Sequence, residues 1–454
     1  MLFSSISFIY IYLPLCIFVY YILPKQCKNL FLLLFSLFFY AYDKPSFLPI
    51  MLGCIGLTYI NGILLEKYRN KIHFVCAIIM SLFPLLYFKY TNFFLGNINA
   101  LFGSNFHIEN LLLPLGISFY TFQMLSYIID VYRKKVMCEK NFLDLALYVT
   151  FFPQLIAGPI VKFIDIKDQI KNRKHSFDLF GQGVFYFVIG LSKKVLLANQ
   201  LGEFCSAYHL LDEKNIAISW AYAFAYFLQV YFDFSGYSTM AIGLGKMFGF
   251  ELPMNFNYPL LAESIQDFWK RWHMTLSGFF KEYLYIPLGG SRCKPWKHIL
   301  NLFIVWFATG LWHGANWNFV LWGLYFFVLL VIEKYIVKDR VILSALKTTL
   351  TVPLILISFV LFGATDISNA FETIKSLFTW GTLTEDSSFL MQNYGGVFFI
   401  SLFFAFPIVS MLYNDFKNTK VAKIMEPIVL GFLLLLCTAY LVDGSFNPFL
   451  YFRF

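Results

Sequence analysis

Phe47-Leu48-Pro49-Ile50-Met51-Leu52-Gly53-Cys54-Ile55-Gly56-Leu57-Thr58-Tyr59-Ile60-Asn61-Gly62-Ile63-Leu64-Leu65 runs without a charged side chain and ends close to Lys67, Arg69 and Lys71. A helix of this length crosses the roughly 30 Å hydrocarbon core of a bilayer, and the basic cluster behind it marks where the chain meets water. The neighbouring stretches repeat the pattern. Residues 6–23 lead to Lys25 and Lys28, and residues 30–42 break at Asp43-Lys44-Pro45. Residues 72–88 open onto the poorly charged stretch 92–110, and residues 111–131 return to Arg133-Lys134-Lys135. Basic clusters fall at every second loop, which places those loops in the cytoplasm and the N-terminus outside.

Composition extends this reading to the whole chain. Of 454 residues, 59% are hydrophobic, 21% aromatic and only 13% charged, where a soluble domain carries about a quarter charged residues. No soluble fold of this length hides so much apolar surface, because more than half of any folded surface already consists of apolar atoms. A soluble cytosolic enzyme, a disordered chain and a nucleic-acid module are excluded, and membrane lipid is the expected surround. The net charge of +9 then records loop orientation rather than a nucleic-acid partner. The eight cysteines form no Cys-x-x-Cys pair and no Cys/His ladder, so neither a metal site nor a disulfide framework is expected. Residues 1–23 hold no positive charge and no small-residue cleavage pattern, and read as a retained first span.

Two stretches break the alternation. Residues 143–161 contain Pro153, Gly158 and Pro159 and have basic loops on both sides. A segment that begins and ends on one face reads as re-entrant, or else as a Pro-kinked span with an imperfect loop bias. Residues 264–295 set Asp267, Lys270, Arg271, Lys281 and Glu282 at helical steps against Phe268, Trp272 and Phe279. That pattern predicts an amphipathic helix lying in the interface or dipping into a cavity. Further apolar spans cover 185–197, 217–230, 299–311, 319–332, 354–362, 397–411 and 428–442. The expectation is an all-α polytopic membrane protein of about ten to twelve transmembrane helices, forming one membrane domain over residues 1–454.

Ionisable residues inside a membrane are costly and point to function. His73, His107, His175, His209 and His298 lie beside polar or basic residues and read as solvated or interfacial. His313 sits in Gly310-Leu311-Trp312-His313-Gly314-Ala315-Asn316-Trp317, deep in an apolar stretch. Burial favours the neutral imidazole, the form a general base requires; a hydrogen-bonded core histidine is the other reading. His273, in Arg271-Trp272-His273-Met274, is a second candidate, though an interfacial helix equally accounts for it. Gln123, Gln154, Gln229, Asp233, Ser235 and Asn316 also fall in apolar stretches, and together with Trp312 they suggest a polar funnel inside the bundle. Lys193, Lys194, Arg292 and Lys294 are candidates to hold an anionic substrate at a cytoplasmic mouth, with plain positive-inside bias as the alternative.

Several strings carry a family resemblance: Leu113-Pro114-Leu115-Gly116-Ile117-Ser118-Phe119-Tyr120-Thr121-Phe122-Gln123, Phe151-Phe152-Pro153-Gln154-Leu155-Ile156-Ala157-Gly158-Pro159 and Tyr231-Phe232-Asp233-Phe234-Ser235-Gly236-Tyr237-Ser238. They continue with Asn255-Phe256-Asn257-Tyr258-Pro259, Asp267-Phe268-Trp269-Lys270-Arg271-Trp272-His273, Tyr283-Leu284-Tyr285-Ile286-Pro287-Leu288-Gly289-Gly290 and the His313 string, with a weaker match at Pro448-Phe449-Leu450-Tyr451-Phe452. In this order the chain resembles the membrane-bound O-acyltransferase family, in its alginate and peptidoglycan O-acetyltransferase branch. The resemblance implies a helical bundle with re-entrant and interfacial helices around a central funnel, His313 as the catalytic histidine and His273 as a second functional position. It also implies acetyl-CoA as cytoplasmic donor, so that the basic mouth would hold CoA phosphates, and no metal. Thr239 stands where relatives commonly have Asp, and Gly363 where many have Arg.

The expected protein is an O-acetyltransferase of the bacterial cytoplasmic (inner) membrane that passes acetyl outward to a cell-envelope polysaccharide. Peptidoglycan is the leading acceptor and an alginate-like exopolysaccharide the second. D-alanyl transfer to teichoic acid fits the strings less well, and a transporter would be expected to show internal repeats, which are not seen. A separate extracytoplasmic acetyltransferase partner is expected to complete delivery. If His273 and His313 share one reaction centre, their rings should lie within about 15 Å, since proton transfer works through direct contact or one bridging water. The orientation has its own test. With the native thiols removed, a Lys134→Cys variant should resist an impermeant maleimide in intact cells; labelling there would reverse the topology.

Overall fold

The structure is a computed structural model that describes residues 1–109, 111–156, 158–337, 344–443 and 447; for 344–346 only the backbone is described. Asn110, Ala157 and the Pro448–Phe452 string lie outside the described residues. All regular structure among the described residues is helical. The chain forms two compact units, Met1–Phe187 with Ser238–Pro253, and Val188–Tyr237 with Met254–Phe454.

The first unit contains α1 (Leu13–Ile22), α2 (Lys28–Ala41), α3 (Leu48–Tyr68), α4 (Lys71–Leu85), α5 (Thr91–Phe102), α6 (Ile117–Tyr132), α7 (Phe142–Thr150), α8 (Phe152–Leu155), α9 (Phe163–Asn172) and the start of α10 (Phe177–Ser192). The short loop between α3 and α4 is capped on both sides. Arg69 ends α3 in the left-handed conformation, and the Asn70 side chain accepts the Ile72 N–H at 2.8 Å to begin α4. α6 is buried on every side from Ile117 to Val131 and forms the centre of this unit. It begins at Gly116, whose φ is 69° and where a Cβ would come 2.5 Å from the Leu155 carbonyl oxygen. The Leu113 and Phe151 strings therefore touch backbone to backbone.

Residues 143–161 are broken in the way Pro153 and Gly158 foretold. α7 has nine residues and rises about 14 Å, half of what a span needs. The backbone groups released at the break find buried partners, as they must away from water. The Phe152 N–H donates to Ser36 Oγ at 3.1 Å, the Gln154 amide to the Tyr148 carbonyl at 2.6 Å, and the Tyr148 hydroxyl to the Val161 carbonyl at 2.9 Å.

The second unit holds the end of α10, a π-helical segment Lys193–Ala198, α11 (Asn199–His209), most of α12 (Ile216–Met247), α13 (Ile265–Arg271), α14 (Met274–Phe280), α15 (Pro295–His313), α16 (Trp317–Ile332), α17 (Ser344–Gly363), α18 (Ile367–Ser376), α19 (Glu385–Ala405), α20 (Ile408–Phe416) and α21 (Lys420–Asp443). Residues 264–295 do not form one amphipathic helix. They form two seven-residue helices broken at Trp272-His273, then a π-helical turn Lys281–Tyr285. The break arises because residues 255–257 pair with it in extended fashion. Asn257 N–H donates to the Arg271 carbonyl at 2.8 Å, and Met274 N–H to the Asn255 carbonyl at 2.9 Å.

Six helical stretches among the described residues are long and apolar enough to cross a membrane, and Phe8–Ile22 and Lys347–Gly363 are shorter apolar helices. The ten to twelve expected spans exceed this number because some are short, α6 having 16 residues, and others are long but carry polar side chains, as the 32-residue α12 does with Gln229 and Asp233. The stretches Glu385–Ala405 and Lys420–Asp443 bury less than a fifth of their most apolar windows. Their side chains face outward, as those of a multi-pass membrane protein do.

α15 and α16 pack backbone against backbone. A Cβ at Gly310 would come 2.5 Å from the Phe319 carbonyl oxygen, and one at Gly323 would come 2.3 Å from that of Trp306. Gly323→Ala should therefore lower the thermal midpoint in detergent, by an overpacking cost of about 1–3 kcal/mol. Gly53→Ala, with no atom within 4 Å of the added methyl, should be neutral or stabilise by up to about 1 kcal/mol. Equal effects at the two sites would contradict the backbone contact.

Candidate functional site

His313 is the last residue of α15, and Gly314 turns the chain toward α16. It is 5% exposed. Its imidazole is walled by aromatic rings: Trp322 at 4.8 Å, Trp312 at 4.9 Å and Phe362 at 5.3 Å between centroids. Gly310 lets the backbone approach that of Phe319, and Gly314 leaves room for the Phe319 ring, which a Cβ there would strike at 2.2 Å. Asn316 is exposed and caps α16 by accepting the Trp317 N–H. It is a turn residue and does not line a buried funnel. The buried amide at this corner is Asn318, which donates to the Ala364 carbonyl at 2.8 Å.

His273 is fully buried and occupies the left-handed region, with φ 44° and ψ 53°. A non-glycine residue there is strained, and such strain clusters at functional positions. Asn255 holds the ring. Its Oδ1 accepts the Thr275 backbone N–H at 3.1 Å and the Thr275 hydroxyl at 2.9 Å, and lies 3.2 Å from His273 Nδ1. The backbone donor identifies that end of the amide as oxygen, and oxygen only accepts. Nδ1 therefore carries the proton, and in the neutral ring Nε2 holds a lone pair. Nε2 is buried with no protein partner. As a neutral ring with this tautomer, His273 offers Nε2 as a proton acceptor.

Trp312 joins the two histidines. Its indole lies 5.8 Å from His273 and 4.9 Å from His313, which limits the separation of the imidazoles to about 11 Å at most. Phe234 covers His273 edge-on at 4.6 Å. It sits on α12 between Asp233 and Ser235, both buried. The helix that presents His273 is fastened at its start. Ser264 Oγ accepts the Asp267 N–H at 3.0 Å, and the Glu333 carboxylate accepts the Ile265 N–H at 2.7 Å.

The four basic candidates separate. Lys194 is buried and bonded to Asp233 at 2.7 Å, the two side chains 3% and 4% exposed. With its charge already matched inside the protein, it is not a residue of an open mouth. Asp233 is accordingly an ion-pair residue. The π-helical segment Lys193–Ala198 and the close approach of Gly236 to the Gly190 carbonyl (2.8 Å for a built Cβ) bring the pair together. Lys193 is half-buried, while Arg292 and Lys294 are exposed near the start of α15. Gln123 and Gln154 belong to the first unit, where the Gln154 amide donates to the Tyr148 carbonyl, while Gln123 accepts the Tyr148 hydroxyl only through its main-chain carbonyl and keeps its buried side-chain amide without a hydrogen-bond partner among the described residues. Gln229 is buried on α12 in the second unit. His298, expected to be interfacial, is instead buried, with Nε2 2.9 Å from the Tyr285 hydroxyl and Nδ1 2.7 Å from that of Tyr335. Gly363 lies against Tyr226, where a Cβ would be 2.5 Å from the ring. Thr239 is half-buried on α12.

Sequence reasoning gave no role to Trp322, Phe234 or Glu333, and knew Asn255 only as part of a string. Apolar residues, loop residues and a charged residue at a helix end carry no signal until the chain folds. Among the described residues, no group of three or more His, Cys, Asp or Glu side chains is placed to hold a metal ion.

Comparison with known proteins gives a consistent result. The family model described as membrane-bound O-acyltransferase family matches residues 134–365. A probable alginate O-acetylase of Pseudomonas aeruginosa is 37% identical over 93% of this chain and 84% of its own length. A peptidoglycan O-acetyltransferase of Helicobacter pylori is 36% identical over 83% of this chain and 80% of its own. A teichoic acid D-alanyltransferase of Bacillus subtilis is 29% identical over 74% of this chain and 89% of its own.

The buried pair makes a sharp expectation. Lys194→Met removes the ammonium from a buried carboxylate and should cost about 3–5 kcal/mol, whereas Lys194→Met with Asp233→Leu should lose much less. Thermal unfolding in detergent reads both. A double variant as unstable as the sum of its singles would show that the two charges do not act as a pair.

Proposed function

Because the chain belongs to the membrane-bound O-acyltransferase family, we propose that it moves an acetyl group from cytoplasmic acetyl-CoA to an envelope polysaccharide, with peptidoglycan as the eventual acceptor. The observation that supports this most directly is the pair of buried histidines joined by Trp312. Acetyl-CoA is anionic and cannot cross lipid, so donor and acceptor must meet at residues held inside the bundle. His313 takes the proton of the acceptor hydroxyl as its oxygen attacks the thioester carbonyl carbon. The carbonyl electrons move onto oxygen and return as the C–S bond breaks. The ester is released, and the proton passes from the imidazolium to the leaving CoA sulfur. His273, with Nδ1–H directed at Asn255 and Nε2 without a hydrogen-bond partner among the described residues, relays that proton in this reading. Exposed Arg292 and Lys294 remain suited to the CoA phosphates.

In this reading the protein sits in the bacterial cytoplasmic membrane with its N-terminus outside, and a separate extracytoplasmic acetyltransferase receives the acetyl group. The identities of 37% and 36% to relatives named for alginate and peptidoglycan, against 29% to the D-alanyltransferase, favour acetyl as the group transferred. They keep an alginate-like exopolysaccharide as the second acceptor.

His313→Ala should leave an inserted, folded protein and lower acetyl transfer by two to four orders of magnitude, the usual contribution of a general base. Mass spectrometry of muropeptides from cells carrying either form should show loss of O-acetyl groups with the variant. Unchanged muropeptides beside a deacetylated exopolysaccharide would move the acceptor to the second reading. Wild-type transfer by the variant would remove His313 from the mechanism.

A further inference from the structure

The first unit contains a group of basic side chains that the acyl-transfer reading does not use. Tyr20, fully buried near the end of α1, gathers them. Arg173 Nε donates to the Tyr20 hydroxyl at 2.7 Å, and His175 Nε2 lies 2.8 Å from the same oxygen. The Lys28 ammonium stands 4.5 Å from the Tyr20 ring centre and 5.1 Å from that of Tyr21. Arg173 is fixed further by a bond from Nη1 to Asn29 Oδ1 at 2.6 Å and by the Phe250 ring at 4.7 Å.

Among the described residues, neither Lys28 nor Arg173 forms an ion pair. The carboxylate of Asp144 joins the network only through the Asn29 amide, at 3.0 Å. Positive-inside bias alone would leave lysines solvated and loosely placed. Here the cations converge on one ring and repel one another. Burial and the charges of Lys28 and Arg173 hold the His175 imidazole below its ordinary pKa. Such an arrangement is stabilised when an anion joins it. Lys28 and Arg173 are half-buried and His175 is exposed, so an anion can reach them. Lys28 follows the apolar helix Phe8–Ile22 by a few residues, and Arg173 and His175 directly precede the apolar stretch Phe177–His209. That is the level at which lipid phosphates lie.

We propose that Lys28, Arg173 and His175 form a phosphate-binding site that takes a phosphodiester or phosphomonoester anion, supplied either by a lipid headgroup or by a soluble phosphate ester. The proposal does not depend on the acyl-transfer reading. With Nε bonded to Tyr20 and Nη1 to Asn29 and the Ile170 carbonyl, the guanidinium would offer its Nη2 donors, and Lys28 would supply a point charge.

The test uses the purified full-length protein in detergent. In one arm, native mass spectrometry follows retention of phosphatidylglycerol against phosphatidylcholine. In the other, inorganic phosphate is titrated while the His175 ring is followed by NMR. Lys28→Gln removes only ring contacts and leaves the Arg173 scaffold standing; Arg173→Lys keeps the charge and loses the fork. Each should weaken binding about tenfold, the scale of one charge-assisted hydrogen bond. Selective retention of phosphatidylglycerol that both variants lose assigns the site to a lipid headgroup. A rise in the His175 pKa with inorganic phosphate, lost in Lys28→Gln, assigns it to a soluble phosphate ester. If Lys28→Gln, folded by its thermal midpoint, matches wild type in both arms, or if wild type responds in neither, the site does not exist.

Discussion

A backbone amide left unpaired in hydrocarbon costs several kcal/mol, so a chain that spans a membrane cannot interrupt a helix without supplying other partners. The two interruptions described above meet that condition. At Phe151 the released groups are taken up by Ser36, Tyr148 and Gln154 side chains. At Trp272-His273 they are taken up by residues 255–257, whose main chain bonds to Arg271 and Met274. The interruption is what places a histidine side chain where a continuous amphipathic helix would have turned it elsewhere.

The second interruption also sets chemistry. Because the amide of Asn255 is oriented by the Thr275 backbone, the proton of His273 is assigned to Nδ1, and Nε2 is left as the acceptor. Trp312 fills the space between this ring and His313. Aromatic walls on both imidazoles keep bulk water away, which strengthens local electrostatics. The same dryness makes a buried charge expensive, and Lys194, buried in the same unit, is bonded directly to Asp233.

Much of the fold was legible in the sequence. The charge-free run before Lys67 and the alternation of basic loops identify a polytopic helical protein, and Pro153 with Gly158 marks a broken segment. His313 stood out because an ionisable side chain in an apolar run is costly to keep for packing alone. Other features depended on the tertiary structure. Residues 264–295 have the period of one helix, and only the pairing with Asn255 and Asn257 reveals that His273 ends it. Asn316 and Asn318 look equivalent in the sequence, yet one is an exposed cap and the other is buried. Lys194 resembles any juxtamembrane lysine until its carboxylate partner on another helix is seen. His298 has a basic neighbourhood in the chain, but the two tyrosines that enclose it come from residues 285 and 335.

Gly363 and Tyr226 show how such packing constrains change over generations. The resemblance to other acyltransferases leads one to expect Arg at position 363, but in this chain the Tyr226 ring fills the volume that any side chain there would enter. Neither residue can drift alone toward that alternative. A larger residue at 363 collides with the ring, and trimming the ring first leaves a void beside a glycine. Either single step, displacing the ring with a side chain at 363 or trimming the ring at 226, passes through an intermediate less stable than either end. Two lineages on opposite sides of that barrier would keep different pairs at these positions long after the rest of their sequences had exchanged freely.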